Sequence, residues 1–466
     1  METEYACFPA IEIEEDLIRR FDSFGPRYTS YPTADRFHTE FTAETYQKYL
    51  QQRAASSDKR PLSLYLHIPF CASLCYYCAC NKVITKDHGR SAKYLHYLEK
   101  ELTLVLAHLP GRETVSQLHF GGGTPTFLSH AEMRQLMNIL RTHFDFSDDA
   151  EISIEIDPRT VSKETLEMLR DVGFNRTSLG VQDFNPAVQQ AVHRIQPFDM
   201  VERTIADSRN AGFQSINFDL IYGLPKQNLE TFSETLDQVI RLSPDRIALY
   251  NYAHLPTRFK PQRRILEADL PSAEQRLQIF LMSVRRLLAE GYIYIGLDHF
   301  AKPDDSLAQA TLDGSLHRNF QGYTTRADCD LIALGLSGIG KIGACYVQSL
   351  RTLDDYYATL DAGKLPVEKG IELSKDDILR RQIIMALMCS STIRFDRIAA
   401  EYDVDFRTYF RPELETLSAF AKEGLLEISD AGITILPKGR FFVRAFGMLF
   451  DTFLSQQTHA KYSKLI

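Results

Sequence analysis

No run of about 18 apolar residues occurs in this 466-residue sequence, so no segment is expected to cross a bilayer as a helix. The opening stretch, METEYACFPAIEIEEDLIRR, is acidic where an export signal would be basic, and it holds no apolar block. A cytoplasmic location away from membranes is therefore expected. Cations are not in surplus either. Against 61 Asp and Glu stand 53 Lys and Arg, for a formal net charge of −8. That disfavours an enzyme held to nucleic acid mainly by phosphate contacts, because such binding needs a basic face. It leaves room for a local basic pocket that takes an acidic small molecule. Cysteine is scarce too: eight residues are too few to staple a chain of this length.

What cysteine there is clusters. Cys71, Cys75, Cys78 and Cys80 fall within one short stretch, and in a reducing compartment such clustering reads as metal binding or redox chemistry. Cys7, Cys329, Cys345 and Cys389 are scattered, and packing or an indifferent surface position accounts for each.

From residue 61 to about 300, β-rich runs alternate with amphipathic helical stretches. The strand candidates are 62–68, 115–120, 151–156, 176–181, 215–221, 246–252 and 292–297. Among the helical stretches, 273–290 repeats Leu277, Phe280, Leu281, Val284, Leu287 and Leu288 at spacings of three and four. Such repetition implies a parallel sheet, either open and doubly wound or closed into a full or partial barrel. Residues 1–60 form an N-terminal arm whose Gly25-Pro26-Arg27-Tyr28-Thr29-Ser30-Tyr31-Pro32-Thr33 segment suits no helix interior. The alternating region and its extension run over 61–370. After it, 371–466 reads as a mainly helical domain with helices at 375–389, 394–402, 411–424 and 439–454, and a hairpin around Asp430-Ala431-Gly432. That order resembles a winged helix. Acidic residues interleaved with its basic ones favour a lid or packing role over DNA binding.

The spacing Cys71-x3-Cys75-x2-Cys78 would put three side chains on one helical face, but Pro69 and the choice of cysteine over leucine argue against an apolar stripe. Structural zinc usually takes two separated pairs of ligands. Three thiolates in one loop suit three irons of a 4Fe–4S cluster and leave the fourth iron open to a small molecule. After the second strand comes His119-Phe120-Gly121-Gly122-Gly123-Thr124-Pro125-Thr126, where consecutive glycines let backbone approach a ligand. Glu155 shares a strand face with Ser153, Gln182-Asp183 ends the fourth strand, Arg194 opens the next helical stretch and Asp219 ends the fifth strand. Polar groups at successive strand C-termini are what a barrel active site requires.

C-x3-C-x-Tyr-C at the end of a first strand resembles the signature of the radical S-adenosylmethionine (SAM) superfamily. The resemblance implies a partial (β/α) barrel of radical SAM type within the α/β class. It also implies a 4Fe–4S cluster on Cys71, Cys75 and Cys78, with SAM chelated at the open iron. Electron transfer then splits SAM into methionine and a 5′-deoxyadenosyl radical. Three further segments narrow the likeness: the C-x-C that Cys80 adds, the 25–32 arm, and His317-Arg318-Asn319-Phe320-Gln321-Gly322-Tyr323. Together they resemble the oxygen-independent coproporphyrinogen III oxidase family, over nearly the whole chain. That family oxidatively decarboxylates two propionates of coproporphyrinogen III to vinyl groups, giving protoporphyrinogen IX in anaerobic haem biosynthesis.

By that resemblance two SAM molecules are expected. Tyr65, Gly122, Glu155 and Ile339 would line the first, and Tyr77, Gly123, Thr124, Gln182, Arg194, Asp219 and Ala253 the second. Tyr65 and Cys80 are the candidate catalytic residues. Cys80 is not expected to bind the cluster, because a fourth thiolate would block the site SAM needs. A substrate with four carboxylates calls for cationic anchors, and Arg27, Arg318 and Arg194 are candidates. A mobile arm and the C-terminal domain would close over the barrel mouth, since a primary carbon radical must be kept from solvent. A low-potential electron donor, flavodoxin-like by resemblance, and an electron acceptor of unknown kind are implied partners, and a monomer is expected. Ala79 stands where the family commonly has Gly, and Tyr77 where Phe often stacks on adenine. Tyr keeps a stacking face. The rival readings are a haem-binding chaperone of the same superfamily, which generally lacks the Cys80 and arm features, and a radical SAM enzyme acting on tRNA, which the acidic balance disfavours.

Overall fold

The structure, a computed structural model, describes residues 15–21, 25–57, 59–326 and 329–454. Cys7 and residues 1–14 of the acidic opening segment lie outside the described residues. The chain forms two compact units, one of residues 37–290 and 328–372, the other of residues 1–36, 291–327 and 373–466. Residues 37–60 thus belong to the first unit and residues 291–327 to the second.

In the first unit, strands β1 (Leu62–Ile68), β2 (Glu113–Gly122), β3 (Phe144–Ile156), β4 (Arg176–Gln182), β5 (Ser215–Tyr222) and β6 (Arg246–Asn251) lie side by side in chain order, all parallel. Helices α1 (Ala43–Ala55), α2 (Gly89–Leu106), α3 (His130–His143), α4 (Lys163–Asp171), α5 (Phe198–Ala211), α6 (Leu229–Leu242) and α7 (Ala273–Ala289) accompany them. Leu62, Leu64, Leu66 and Ile68 are fully buried, and Ser63 and His67 on the other face are buried too. A strand covered on both faces reads as a nearly continuous apolar run, which is how LSLYLHI reads. Helix starts follow local chemistry. Ser129 with Glu132, Asn228 with Thr231 and Ser272 with Gln275 form capping boxes at the starts of α3, α6 and α7.

The simple alternation breaks at its end. Ile293–Gly296, inside the expected strand at 292–297, pairs antiparallel with His299–Ala301 in the second unit. The parallel neighbour on the other side of β1 is instead β7 (Asp330–Leu334), followed by antiparallel β8 (Ile339–Ile342), β9 (Cys345–Ser349) and β10 (Val367–Glu372). These strands are short, and Gly335, Gly338, Gly340 and Gly343 interrupt the run, so their period is hard to read. The seven parallel strands end along one edge, which fits a partial barrel. At the opposite edge a buried Arg53 from α1 binds Glu113 at 2.9 Å and Asp330 at 2.6 Å, tying the starts of β2 and β7 together.

The second unit contains the expected winged-helix-like order. Helix Lys375–Cys389 leads to a three-stranded antiparallel sheet of Thr392–Arg394, Gly432–Ile435 and Leu426–Ile428, with helices Phe395–Tyr402 and Arg411–Lys422 between. The last helical stretch starts as a 3-10 turn over Pro437–Phe442 and becomes α-helix only at Val443–Leu449. The described arm is not loose within this unit. Arg444, buried, donates to the carbonyls of Gly25 and Pro26, Tyr28 donates to Asp451 at 2.9 Å, and Tyr31 meets Thr452 at 3.0 Å.

Candidate active site

The cysteine loop leaves the end of β1. Phe70–Cys71 pairs in parallel with Val83–Ile84, so residues 72–82 form a loop pinned at its base. Val83 N–H donates to Pro69 O at 2.7 Å and Thr85 N–H to Cys71 O at 2.9 Å. Within the loop, Lys82 Nζ reaches the carbonyls of Cys78 (3.0 Å) and Cys80 (3.3 Å). All described cysteines are free thiols. Cys71 Sγ accepts from Thr124 Oγ1 at 3.4 Å, and Cys75 Sγ accepts from Arg159 and Arg194, each at 3.6 Å.

The glycine segment lies against this loop because β1 and β2 are in register up to Ile68 and Gly122. Gly123 N–H donates to Ile68 O at 2.8 Å and Thr124 N–H to Phe70 O at 2.9 Å. Gly122 has φ +115°, and a Cβ there would lie within 2.9 Å of three atoms of the His67 ring. Glycine is therefore required both by its conformation and by the close approach. His67 is held by Tyr65 Oη at its Nδ1 (3.1 Å) and by Asn81 O at its Nε2 (2.9 Å), an arrangement that fits Nε2–H as the donor to Asn81. Burial lowers its pKa and so favours the neutral ring.

Tyr65, His119 and Ser153 form one row across β1, β2 and β3. His119 Nδ1 meets Ser153 Oγ at 2.7 Å, and its Nε2 lies 3.5 Å from Glu155 Oε1. Glu155 also accepts from Gly122 N–H at 3.1 Å. Burial would raise the pKa of this carboxyl, but the hydrogen bond and charge of His119, with the Gly122 amide, outweigh it and keep the group below its usual range. Farther along, Asp157 accepts from Arg159 at 2.6 Å and from Arg194 at 3.1 Å, and Arg194 donates to Gly180 O at 2.6 Å. Asp219 accepts from Ser178 (2.8 Å) and Asn217 (3.0 Å), and burial, with the nearby Glu155 charge, pushes its pKa up to about 6. Gln182 adopts φ +66°, and the buried Asp183 beside it anchors the turn through Asn185 N–H, Gln227 and Thr235.

One cavity of about 450 Å³ collects these groups. Cys71, Cys75, Cys78, Cys80, Tyr77, Gly122, Gly123, Thr124, Glu155, Gln182, Arg194 and Asp219 all line it. Tyr65 is not part of the lining; it hydrogen-bonds His67 and lies over the His119 ring, neither of which lines the cavity. Ala253 is exposed just past β6 and Ile339 opens β8, and neither is part of the lining. Arg27 and Arg318 belong to the second unit. There Arg27 pairs with Asp298 at 2.6 Å, and Arg318 is buried with its guanidinium 4.7 Å from the Tyr323 ring. Sequence reasoning missed Arg159 and Lys82, both in the lining. Arg159 follows the Asp157-Pro158 strand end by one residue, so its position was a usable signal. Lys82 carried none. Of the scattered cysteines, Cys345 and Cys389 are buried and Cys329 is half-buried against Ser116.

The donor set fits an iron–sulfur cluster. Four free thiols, those of Cys71, Cys75, Cys78 and Cys80, border one cavity. Thiols around a chamber suit a polynuclear group, and cationic Arg159, Arg194 and Lys82 beside them offset its charge. A largely parallel partial barrel with such a loop after its first strand defines a radical SAM protein, and the model described as "Radical SAM superfamily" matches residues 65–239. Its cofactors are a 4Fe–4S cluster and SAM. The HemN C-terminal domain model matches residues 373–442. The chain is 49% identical over 461 residues to the oxygen-independent coproporphyrinogen III oxidase of Pseudomonas aeruginosa, covering 98% of this chain and 99% of that one. It is 46% identical to the enzyme of that name from Escherichia coli, covering 97% and 98%. The solved Escherichia coli coproporphyrinogen III oxidase, described as a radical SAM enzyme, superposes with a TM-score of 0.90 at 45% identity, over 96% of this chain and all of that one. The chain belongs to the oxygen-independent coproporphyrinogen III oxidase family.

Proposed function

We propose that the protein is an enzyme that oxidatively decarboxylates two propionate side chains of coproporphyrinogen III to vinyl groups, yielding protoporphyrinogen IX. The observation that carries this reading is the single cavity joining the three-thiol loop to Gly122, Glu155, Arg194 and Asp219, in a chain so similar to the oxidases end to end. Cys71, Cys75 and Cys78 would hold the cluster, which supplies the electron that makes SAM a source of a hydrogen-abstracting radical. Cys80 stays outside the ligand set, beside the reacting groups.

The chain's own residues bind and orient. Glu155, already ionised and fixed by His119 and Gly122 N–H, offers its remaining lone pairs to ribose hydroxyls. Arg194, locked by Asp157 and Gly180 O, places a cation beside Cys75 where a carboxylate can be received. The family resemblance implies two SAM molecules, with Tyr65, Gly122, Glu155 and Ile339 serving the first and Tyr77, Gly123, Thr124, Gln182, Arg194, Asp219 and Ala253 the second; of these, Tyr65, Ile339 and Ala253 stand outside the cavity lining. Tyr77 offers an aromatic face for an adenine. For the substrate carboxylates Arg318 is the stronger anchor. It is buried with Nε and Nη1 lacking hydrogen-bond partners, whereas Arg27 is already paired with Asp298. Arg318→Ala should raise the Michaelis constant for coproporphyrinogen III, and an unchanged constant would remove Arg318 from the site.

The test is anaerobic turnover of reconstituted protein with SAM, a chemical reductant, an electron acceptor and coproporphyrinogen III. Formation of 5′-deoxyadenosine, CO2 and protoporphyrin is expected. Deoxyadenosine without decarboxylation, with the acceptor varied, would overturn the assigned substrate.

A further inference from the structure

We infer that the exposed basic face of Arg258, Lys260, Arg263 and Arg264, beside the cysteine loop, docks an acidic protein carrying a low-potential one-electron centre. The inference rests on the proposed function, which requires one electron to leave such a donor, oxidising it, and to reduce the centre held by Cys71, Cys75 and Cys78.

The first observation is placement. Lys260–Arg264 is a 3-10 helix buttressed directly against the cysteine loop. Gln262, 1% exposed, donates Nε2 to Tyr77 O at 2.9 Å and accepts from Leu255 N–H at 2.6 Å. The Arg264 guanidinium sits 5.0 Å from the Tyr76 ring, and His193 stacks on that ring at 5.1 Å and 10°. Tyr76 is covalently adjacent to Cys75 and donates its N–H to Val192 O at 2.9 Å. One residue therefore separates this surface from a proposed cluster ligand. Neither Tyr76 nor any of the four cations lines the cavity, so a partner seated here would leave the cavity lining untouched.

The second observation is charge. Many surface cations of this protein have a carboxylate partner: Lys100 has Asp361, Arg112 has Asp145, Lys226 has Asp269, and Arg241 has Glu202. The four cations of this face have none among the described residues. Arg263 donates only to Pro256 O, while Arg258 and Arg264 lie over the aromatic rings of Phe259 and Tyr76. In a chain of net charge −8, four unpaired cations within seven residues repel one another. An acidic partner relieves that repulsion and is steered to the loop by the same field. Leu266, 66% exposed at the edge of the face, adds an apolar contact.

The test compares reconstituted holoenzyme with its Arg263→Glu/Arg264→Glu and Arg258→Glu/Lys260→Glu variants, the second pair leaving the Tyr76 contact intact. Reduced flavodoxin serves as the acidic donor and titanium(III) citrate as a donor that needs no docking. At low ionic strength each variant should bind flavodoxin about tenfold more weakly by fluorescence anisotropy. Flavodoxin-driven deoxyadenosine formation should slow in proportion, and the deficit should shrink as salt is added. With titanium citrate both variants should match wild type. Unchanged flavodoxin binding would overturn the docking surface. A raised Michaelis constant for coproporphyrinogen III with titanium citrate would reassign the face to substrate. Loss of single-stranded RNA binding with donor kinetics intact would reassign it to nucleic acid. No turnover by wild type with titanium citrate would instead fail the proposed function itself.

Discussion

The two edges of the parallel sheet use hydrogen-bonded charge in opposite ways. At the strand starts, Arg53 meets Glu113 and Asp330 so closely that the three charges satisfy one another, with Lys59 3.4 Å from Glu113 as an outer partner. At the strand ends, Glu155, Asp157, Arg194 and Asp219 are equally held by neighbours, yet all four also face a cavity. β2 joins the two, beginning with Glu113 and ending in Gly122. The same residue types therefore act as a rivet at one edge and as recognition groups at the other. What separates them is whether free space lies beside the charge, which agrees with the division of labour between the two faces of barrel folds.

That contrast can be broken from either side. The largest effect expected is at the cavity edge: Cys75→Ser should abolish deoxyadenosine formation while leaving the thermal transition of the apoprotein unchanged. Quantified deoxyadenosine and calorimetry report on the two halves of that statement. At the opposite edge the pattern should invert. Arg53→Ala takes the close cation from buried Glu113 and half-buried Asp330, leaving Glu113 only Lys59, and should cost about 3 kcal/mol in denaturant unfolding, with turnover per folded molecule retained. Lost turnover without lost stability would merge the two edges.

Glu101 on α2 sharpens the comparison, because it is a buried carboxyl with no cation among its hydrogen-bond partners. It accepts from Tyr356 Oη at 2.5 Å and from Gly335 N–H at 2.7 Å, and burial pushes its pKa up to about 7. A carboxyl with a raised native pKa binds its proton more tightly when folded. Its contribution to stability is therefore fullest below the unfolded value of about 4.5 and is lost as pH rises through about 7. Glu101→Gln should remove that dependence. Relative to wild type, the variant should gain about 2–3 kcal/mol between pH 5 and pH 8 in unfolding titrations, and a flat difference would contradict the assignment. The smallest effect expected is at Cys80, where replacement by Ser should leave iron content and the cluster spectrum as they are. Loss of the cluster there would make Cys80 a ligand.

The cavity edge was the more legible in sequence. Cys71, Cys75, Cys78 and the triple glycine are local patterns, and Glu155 and Asp219 mark the ends of clearly periodic strands. The rivet was not legible, since Arg53, Glu113 and Asp330 lie far apart in the chain and only the fold joins them. β7 was missed for a related reason. Its five residues carry too little periodicity to show that the neighbour of β1 comes from the far side of a long excursion. Arg159 and Lys82 were overlooked because a lone cation near a strand end or in a loop is normally solvated.

The two-residue bridge between Phe70–Cys71 and Val83–Ile84 has a consequence for the loop between them. Closing a loop costs chain entropy, and the backbone hydrogen bonds at the base of this one offset part of that cost. The three candidate ligands therefore do not have to find one another from a free chain. They sit on a short tether whose two feet are already joined, so the site searches only the few conformations that the tether allows.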